Sequence, residues 1–264
     1  MIREFADDLS RVVTLEKIPS RIVSLVPSLT EALCAMGLEE QLVGVTKFCV
    51  HPAHIRGAKV VIGGTKNVRF DKIEALRPDI IIANKEENTL EIVAQLERLC
   101  PVFVTDVKNI EDNLRMLQTF GELFNRRSEA AIWCARITSA QNEMSRIAEN
   151  LEPKKAAYVI WREPWMAAGS GTFIDSMMKL NRFINIFDQP RYPEFALESL
   201  ALPDPEIILL SSEPFPFKDE HAFEIGRHTH HSKIIFVDGE MFSWFGTRPA
   251  RAMHYFMQVN SRIK

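Results

Sequence analysis

One stretch limits what this 264-residue chain can become. From Arg126 to Glu149, in RRSEAAIWCARITSAQNEMSRIAE, there is neither glycine nor proline. Apolar side chains fall at Ala130, Trp133, Cys134, Ile137, Met144, Ile147 and Ala148. Spacings of three, four and seven put them on one stripe of an α-helix. At 1.5 Å per residue the helix is a rod of roughly 36 Å, about the width of a small domain. Taken alone, the rod reads as the core helix of one large domain. Its flanks change that reading.

Before the rod, apolar strand patterns alternate with helical ones. After a short edge strand or hairpin arm at VVTL come the strand RIVSLV (21–26) and the helix LTEALCAMG, with Ser28 or Thr30 as its cap. QLVGVT (41–46) and KVVIGG (59–64) are strands, FDKIEALR a short helix, and DIIIAN (79–84) a strand apolar enough to be covered on both faces. The helix TLEIVAQLERLC, the strand VFVTD and the helix NIEDNLRMLQTFGELF complete this half. The same order restarts after the rod with the strand KKAAYVIW, the helix TFIDSMMKLN and a short helix FALESLAL. The strand EIILLS, the helix DEHAFEIGR, the strand KIIFVD and a final helix from about Arg248 follow. Strands alternating with helices mean βαβ units and mostly parallel sheets.

An internal repeat supports two such assemblies. FDKIEALRPDIIIA (70–83) superposes on LESLALPDPEIILL (197–210), with Asp71 on Glu198, Pro78 on Pro205 and Asp79 on Glu206. Each copy is a short helix, a proline, an acidic residue and an apolar strand. The expected fold class is therefore α/β, with two Rossmann-like lobes joined by one long backbone helix. The expected boundaries are an N-terminal lobe at 1–124, the helix at 125–151 and a C-terminal lobe at 152–264.

Composition narrows the function. A formal net charge of -3 leaves no basic stripe for nucleic acid. No apolar run approaches the ~20 residues of a membrane span, and the N-terminal MIREFADDLSRVV lacks the apolar region of a secretory signal. Cys34, Cys49, Cys100 and Cys134 form no CxxC pair, and Cys34, Cys100 and Cys134 read as small buried apolar groups. There is no GxSxG, HExxH, Walker loop or dinucleotide fingerprint, so catalysis finds no support and no catalytic cofactor is expected.

Several segments together carry a resemblance. RIVSLVPSLTEALCAMG, LVGVTKFCVHP, GGTKN and FDKIEALRPDIIIANKEEN lie in the first half, and WREPWMAAGSGTFI, RYPE, ILLSSEPFPF and VDGEMFSWFG in the second. The chain resembles the helical-backbone substrate-binding proteins of ABC importers, which carry cobalamin, haem and ferric siderophores, and is nearest the cobalamin-receptor-like subgroup. The resemblance implies a binding protein rather than an enzyme, with cobalamin, haem or a ferric chelate as ligand. It also implies a permease–ATPase complex as partner, a monomeric state and a place in the cell envelope. Asp71 and Glu198 match the acidic residues that dock to the importer. The N-terminus without a signal motivates the alternative, a cytosolic corrinoid- or cofactor-handling protein on the same scaffold.

In open α/β sheets ligands sit beyond the carboxyl ends of the strands, and in a two-lobe protein those ends line a cleft. Cys49 and His51 follow strand 41–46 and are candidate ligands to a borderline metal; alternatively Cys49 packs inward while His51 faces the cleft or caps a turn. Thr65 and Lys66 of GGTKN can meet a carboxylate or phosphate, or form an ordinary turn. Lys85 and Glu86 or Glu87 follow strand 79–84, with Glu87 equally placed to cap the next helix. In the second lobe Trp161, Trp165, Tyr192, Phe215, Phe217, Trp244 and Phe245 lie at or beyond strand ends. About half of these rings are expected to reach the cleft and stack on a large flat ligand. Arg162 and Arg248 pair either with acidic groups of the ligand or with Glu163 and Glu213. GSGT (169–172) reads as a helix start capped by Thr172, and HTHH (228–231) as a solvated loop rather than a metal tract.

Overall fold

The computed structural model describes residues 2–263. The chain separates into two compact units. The first holds the chain up to Val107 together with Glu111–Ala135 and Phe245–Thr247; the second holds Lys108–Ile110, Arg136–Trp244 and the chain from Arg248 onward.

The first unit opens with an antiparallel hairpin of β1 (Arg3–Ala6) and β2 (Val12–Leu15). Then come β3 (Ile22–Ser24), α1 (Pro27–Ala35), β4 (Leu42–Val45), α2 (Ile55–Ala58), β5 (Val60–Val61) and α3 (Phe70–Leu76). They are followed by β6 (Ile80–Asn84), α4 (Leu90–Leu96), β7 (Val102–Thr105) and α5 (Ile110–Leu123). The five strands from β3 to β7 form one parallel sheet in the order β5-β4-β3-β6-β7. Every residue of β6 is buried, as a strand covered on both faces requires. Helix α1 departs from expectation at its start. Neither Ser28 nor Thr30 caps it; Pro27 opens it, and the Thr30 hydroxyl donates back to the Val26 carbonyl at 3.1 Å. Proline's fixed φ already suits the first helical turn, so no side-chain cap is needed.

The expected rod is α6 (Arg127–Ala148), and the division between the units falls within it. Ala130, Ile137, Ala140, Met144 and Ala148 are buried, while Trp133 and Cys134 are half-buried. Ile147, expected on the stripe, is exposed, because Ala148 is four residues from Met144 and takes that place.

In the second unit the chain forms β8 (Lys154–Trp161), β9 (Met166–Ala167), α7 (Phe173–Leu180), β10 (Phe183–Asn185) and a 3-10 turn at Leu197–Leu200. It continues through β11 (Ile207–Ser211), α8 (Asp219–Gly226), β12 (Lys233–Val237), α9 (Gly239–Ser243) and α10 (Pro249–Ile263). Its sheet is parallel in the order β10-β8-β11-β12, with β9 antiparallel on β8.

The repeat is a structural one. β6 and β11 occupy corresponding positions, and the acidic residue before each binds the start of the adjacent first strand of its sheet. Asp79 accepts from the backbone N–H groups of Ser20 and Arg21 at 2.8 and 3.0 Å, just ahead of β3. Glu206 accepts from the Lys155 N–H of β8 at 3.0 Å. One segment late in the chain, Phe245–Thr247, belongs to the first unit. There Asn113 clasps Gly246 through both polar groups of its amide, donating to the carbonyl at 2.9 Å and accepting from the N–H at 2.5 Å. Gly246 has φ +93, and a Cβ on it would stand 2.8 Å from that of Ala32.

Candidate ligand-binding surfaces

At the carboxyl edge of the first sheet, the turn after β4 sorts its side chains by direction. The Thr46 carbonyl accepts from the Cys49 N–H at 3.1 Å, which turns Cys49 inward and leaves Phe48 about half exposed. Cys49 is fully buried, with Sγ 3.2 and 3.3 Å from the Thr30 and Thr46 hydroxyls. Burial pushes its thiol up from the usual value, and the two hydroxyl hydrogen bonds offset this only in part. The expectation of Cys49 as a metal ligand or ligand contact is therefore corrected: the sulfur is a core group. His51 is half-buried in the same loop. Among the described residues, no three His, Cys, Asp or Glu side chains are grouped so as to hold a metal ion.

The GGTKN loop folds on itself. Lys47 N–H donates to the Gly63 carbonyl and Gly64 N–H to that of Asn67, both at 2.8 Å. Gly63 has φ +109, and a Cβ there would lie 2.4 Å from the Asn67 oxygen, so glycine is required. Beside the loop opens a recess of about 570 Å³, lined by Phe48, Lys47, Lys66, Arg69, Lys72 and the loop itself. That volume is in the range of small-molecule sites, about 300–1,000 Å³. Of the sequence candidates, Thr65 and Lys66 line it, whereas Cys49, His51, Lys85 and Glu86 do not. Lys66 donates to the Glu86 carbonyl at 2.7 Å and Lys72 to the Val61 carbonyl at 3.1 Å. Lys85 is committed elsewhere, in an ion pair with the nearly buried Asp106 at 2.8 Å. Glu86 is half-buried, and Glu87 has its carboxyl raised by burial against the lowering influence of Lys66 and of a hydrogen bond from Thr65. Glu87 is not the helix cap: Thr89 caps α4, its hydroxyl accepting from the Ile92 N–H at 3.3 Å. Lys47, Phe48, Arg69 and Lys72 also line the recess and were not among the sequence candidates. The signal was present, since Lys47 and Phe48 share the strand-end loop with Cys49 and Lys72 adjoins Asp71.

At the carboxyl edge of the second sheet the aromatic residues form a continuous ladder. Trp161 meets Phe215 edge-on at 5.7 Å, Phe215 leans on Phe217 at 4.8 Å, and Phe217 stacks on Trp165 at 5.9 Å with rings 7° apart. Trp161 is 37% exposed, Trp165, Tyr192 and Phe215 are half-buried, and Phe217 is buried. Trp244 and Phe245, expected as ligand contacts, are buried to 7% exposure. Trp244 donates its indole N–H to the Glu213 carboxylate at 2.8 Å, and Ser243 donates to the same oxygen at 3.0 Å. Burial nevertheless holds the Glu213 carboxyl above its usual range. Gly239 lets this loop close, since a Cβ on it would be 2.5 Å from both Glu213 and the Ser211 hydroxyl.

The two arginines part company. Arg162 takes one of its expected partners, Glu163 at 2.6 Å, together with Glu224 at 3.2 Å, and lies 5.8 Å from the Trp165 ring. Arg248 is almost fully buried, paired with Glu240 at 3.2 Å and 4.9 Å over Trp244, so it serves the fold rather than a solvent-side ligand. Thr172 caps α7, its hydroxyl accepting from the Asp175 N–H at 3.1 Å. In the histidine tract the exposed His231 approaches Asp204 at 3.1 Å. Asp71 and Glu198 are both exposed, Asp71 beside Arg69 at 3.2 Å and Glu198 at 3.9 Å from His228.

Two open, mostly parallel α/β sheets find their counterpart in known proteins. Residues 22–235 match the family described as periplasmic binding protein. The chain belongs to this family. It is 27% identical over 208 residues to the vitamin B12-binding protein of Pectobacterium carotovorum, which covers 75% of this chain and 73% of that protein. Its fold is shared with the periplasmic heme-binding protein RhuT of Roseiflexus, at a TM-score of 0.80 and 17% identity over 93% of this chain and 99% of that one. It is shared too with the periplasmic vitamin B12-binding protein BtuF of Vibrio cholerae, at 0.77 and 18% over 93% and 98%. The family is one of substrate-binding proteins rather than a class of enzymes. Among the described residues, no helix is long and apolar enough to cross a membrane.

Proposed function

We propose that this chain is the ligand-binding component of an ABC importer and that its ligand is a metal-containing macrocycle, a corrinoid first and haem or a ferric chelate next. The observation that carries the reading is the 208-residue alignment with a vitamin B12-binding protein. The geometry adds support. The partly exposed rings of Trp161, Trp165, Tyr192 and Phe215 offer flat area for stacking, and the recess beside Gly64 offers an open depression with cationic rims. Affinity for such a ligand comes mainly from buried apolar area, with a few polar groups fixing orientation; we assign that role to Lys66 and His51 on the first unit and to Arg162 on the second. Asp71 and Glu198, exposed at corresponding places in the repeat, are the assigned contacts to importer arginines. We place the protein outside the cytoplasmic membrane, acting as a monomer.

Purified protein titrated with cyanocobalamin, cobinamide and haemin, followed by visible spectra and calorimetry, tests the proposal. Saturable binding to at least one macrocycle is expected. Absence of binding to all three, and to ferric siderophores, refutes it. If His51 coordinates the metal, His51→Ala abolishes the ligand-field shift while leaving the stacking contribution.

A further inference from the structure

The recess of the first unit carries a charge pattern that its fold does not consume. Lys47, Lys66, Arg69 and Lys72 all line it. Arg69 has the exposed Asp71 at ion-pair distance; among the described residues no such pair is seen for Lys47, Lys66 or Lys72. Lys66 and Lys72 each donate to one neutral backbone carbonyl, leaving further N–H donors on each ammonium. Lys47 holds its ammonium 4.9 Å from the Phe48 ring centre, a contact that neutralises nothing. The carboxylates facing the group from other elements are Glu86 and Glu87. Burial raises the Glu87 carboxyl and the nearby Lys66 ammonium lowers it, so Glu87 offsets part of the charge of Lys66; among the described residues no such influence reaches it from Lys47, Arg69 or Lys72. Gly64 keeps the floor open, since a Cβ would come 3.1 Å from Phe48 and 3.5 Å from Lys47.

We infer that this recess is an anion subsite, which reads the carboxylate groups at the periphery of the ligand and so favours a carboxylate-bearing metallomacrocycle over one whose side chains are amides. The inference rests on the macrocycle reading above and, within it, moves the preference from amidated cobalamin to haem, with its propionates, and to corrinoids with free carboxylates. Four cations gathered around one recess sum their potentials at its mouth and attract anionic oxygen more strongly than the same charges dispersed over a surface. Phe48 supplies the apolar wall against which the adjoining ring edge rests. An amide at the same place would accept hydrogen bonds without offsetting the charge.

Two arms test it. In the first, the backbone amides of Gly63, Gly64, Thr65 and Lys66 are followed by NMR while citrate, a small tricarboxylate, is added. Inorganic phosphate is run in parallel to separate carboxylate from phosphate recognition. Shifts of these amides that saturate with citrate, and that the double variant Lys47→Gln/Lys66→Gln abolishes, are expected. No shift with citrate, or equal shifts in the variant, overturns the subsite whether or not any macrocycle binds. In the second arm, cobyrinic acid, with its free carboxylates, is compared with cobinamide, its amidated counterpart. Tighter binding of the acid is expected, falling about threefold for each cation removed and weakening with added salt. Equal affinity for the two corrinoids overturns the subsite while leaving the macrocycle reading intact. Absence of binding to both, with haemin also silent, removes that reading and leaves citrate to judge the subsite.

Discussion

Removing the amide of Asn113 is the sharpest test of how the late segment Phe245–Thr247 is held in the first unit. Asn113 and Gly246 are buried, and the side chain supplies both partners of the Gly246 peptide group. Asn113→Ala leaves a buried N–H and a buried carbonyl without partners. Each unsatisfied group costs about 1–3 kcal/mol, so a loss of roughly 3 kcal/mol is expected. That corresponds to a fall of roughly 10 °C in the melting temperature of a unit this size. Asn113→Asp is the diagnostic partner. It keeps the acceptor for the N–H but sets a carboxylate oxygen against the Gly246 carbonyl, so at neutral pH it destabilises at least as much as alanine. Protonating that carboxyl restores a donor, so the gap to wild type narrows as pH falls toward 4, whereas the alanine variant gains nothing. Scanning calorimetry at pH 7 and pH 4, with hydrogen exchange at Gly246 and Thr247, reads the outcome. A loss below about 0.5 kcal/mol in Asn113→Ala, or an aspartate variant with no pH rescue, refutes the clasp as a source of stability.

Four further outcomes follow from individual residues. Burial opposes ionisation of Asp79, but hydrogen bonds from Lys17, Ser20 and Arg21 outweigh it and hold the carboxyl below its usual value of 3.8. Its stabilisation is therefore complete above that value and lost as pH falls through the lower folded value; acid unfolding between pH 5 and 2 should be steeper in wild type than in Asp79→Asn. Glu206→Gln, at the repeat-related position with one backbone N–H bond, should show a smaller effect in the same acid-unfolding series. Burial pushes the thiols of Cys34 and Cys100 up to about 12, so neither should react with a disulfide reagent in native protein at pH 8, and rapid labelling of either would contradict the packing. Gly64→Val should narrow the recess against Phe48 and weaken macrocycle binding while the melting temperature changes little; unchanged affinity would show that the recess is not used.

The fold was largely legible because its strongest signals are long or repeated. The run at 127–148 has no breaker and a clear stripe, and the second copy of the acid–strand motif begins its strand at Ile207 as the first begins at Ile80. What escaped reading was short. β1, β9, β10, α2 and α9 span two to five residues each, too few for either periodicity to accumulate. Their existence depends on pairing partners: β9 on β8, β10 on the edge of β8, β1 on β2. Nor does any local pattern announce that Phe245–Thr247 joins the first unit, since Asn113 and Gly246 meet across 133 residues.

The candidate surfaces were half legible, and the division has a physical cause. Strand order located the loops, because the carboxyl ends of parallel strands are set by topology. Side-chain direction within those loops was not readable, because it depends on turn hydrogen bonds. A single bond from Cys49 N–H to Thr46 sends the sulfur into the core and leaves Phe48 outside. The same rule separates the two arginines. Arg162, one residue beyond the end of β8, remains half-buried at the aromatic ladder, whereas Arg248, just ahead of α10, is locked by Glu240 and Trp244. Chemical type suggested Cys49 and Arg248 as ligand groups, and burial removed both. Lys47 and Phe48, adjacent residues whose types alone are unremarkable, gained their place because one turn exposes them beside two bare glycines. For this fold the identity of a strand-end residue matters less to ligand contact than the turn that aims it, so substitutions that re-aim the Thr46–Cys49 turn should change ligand preference more than substitutions of His51.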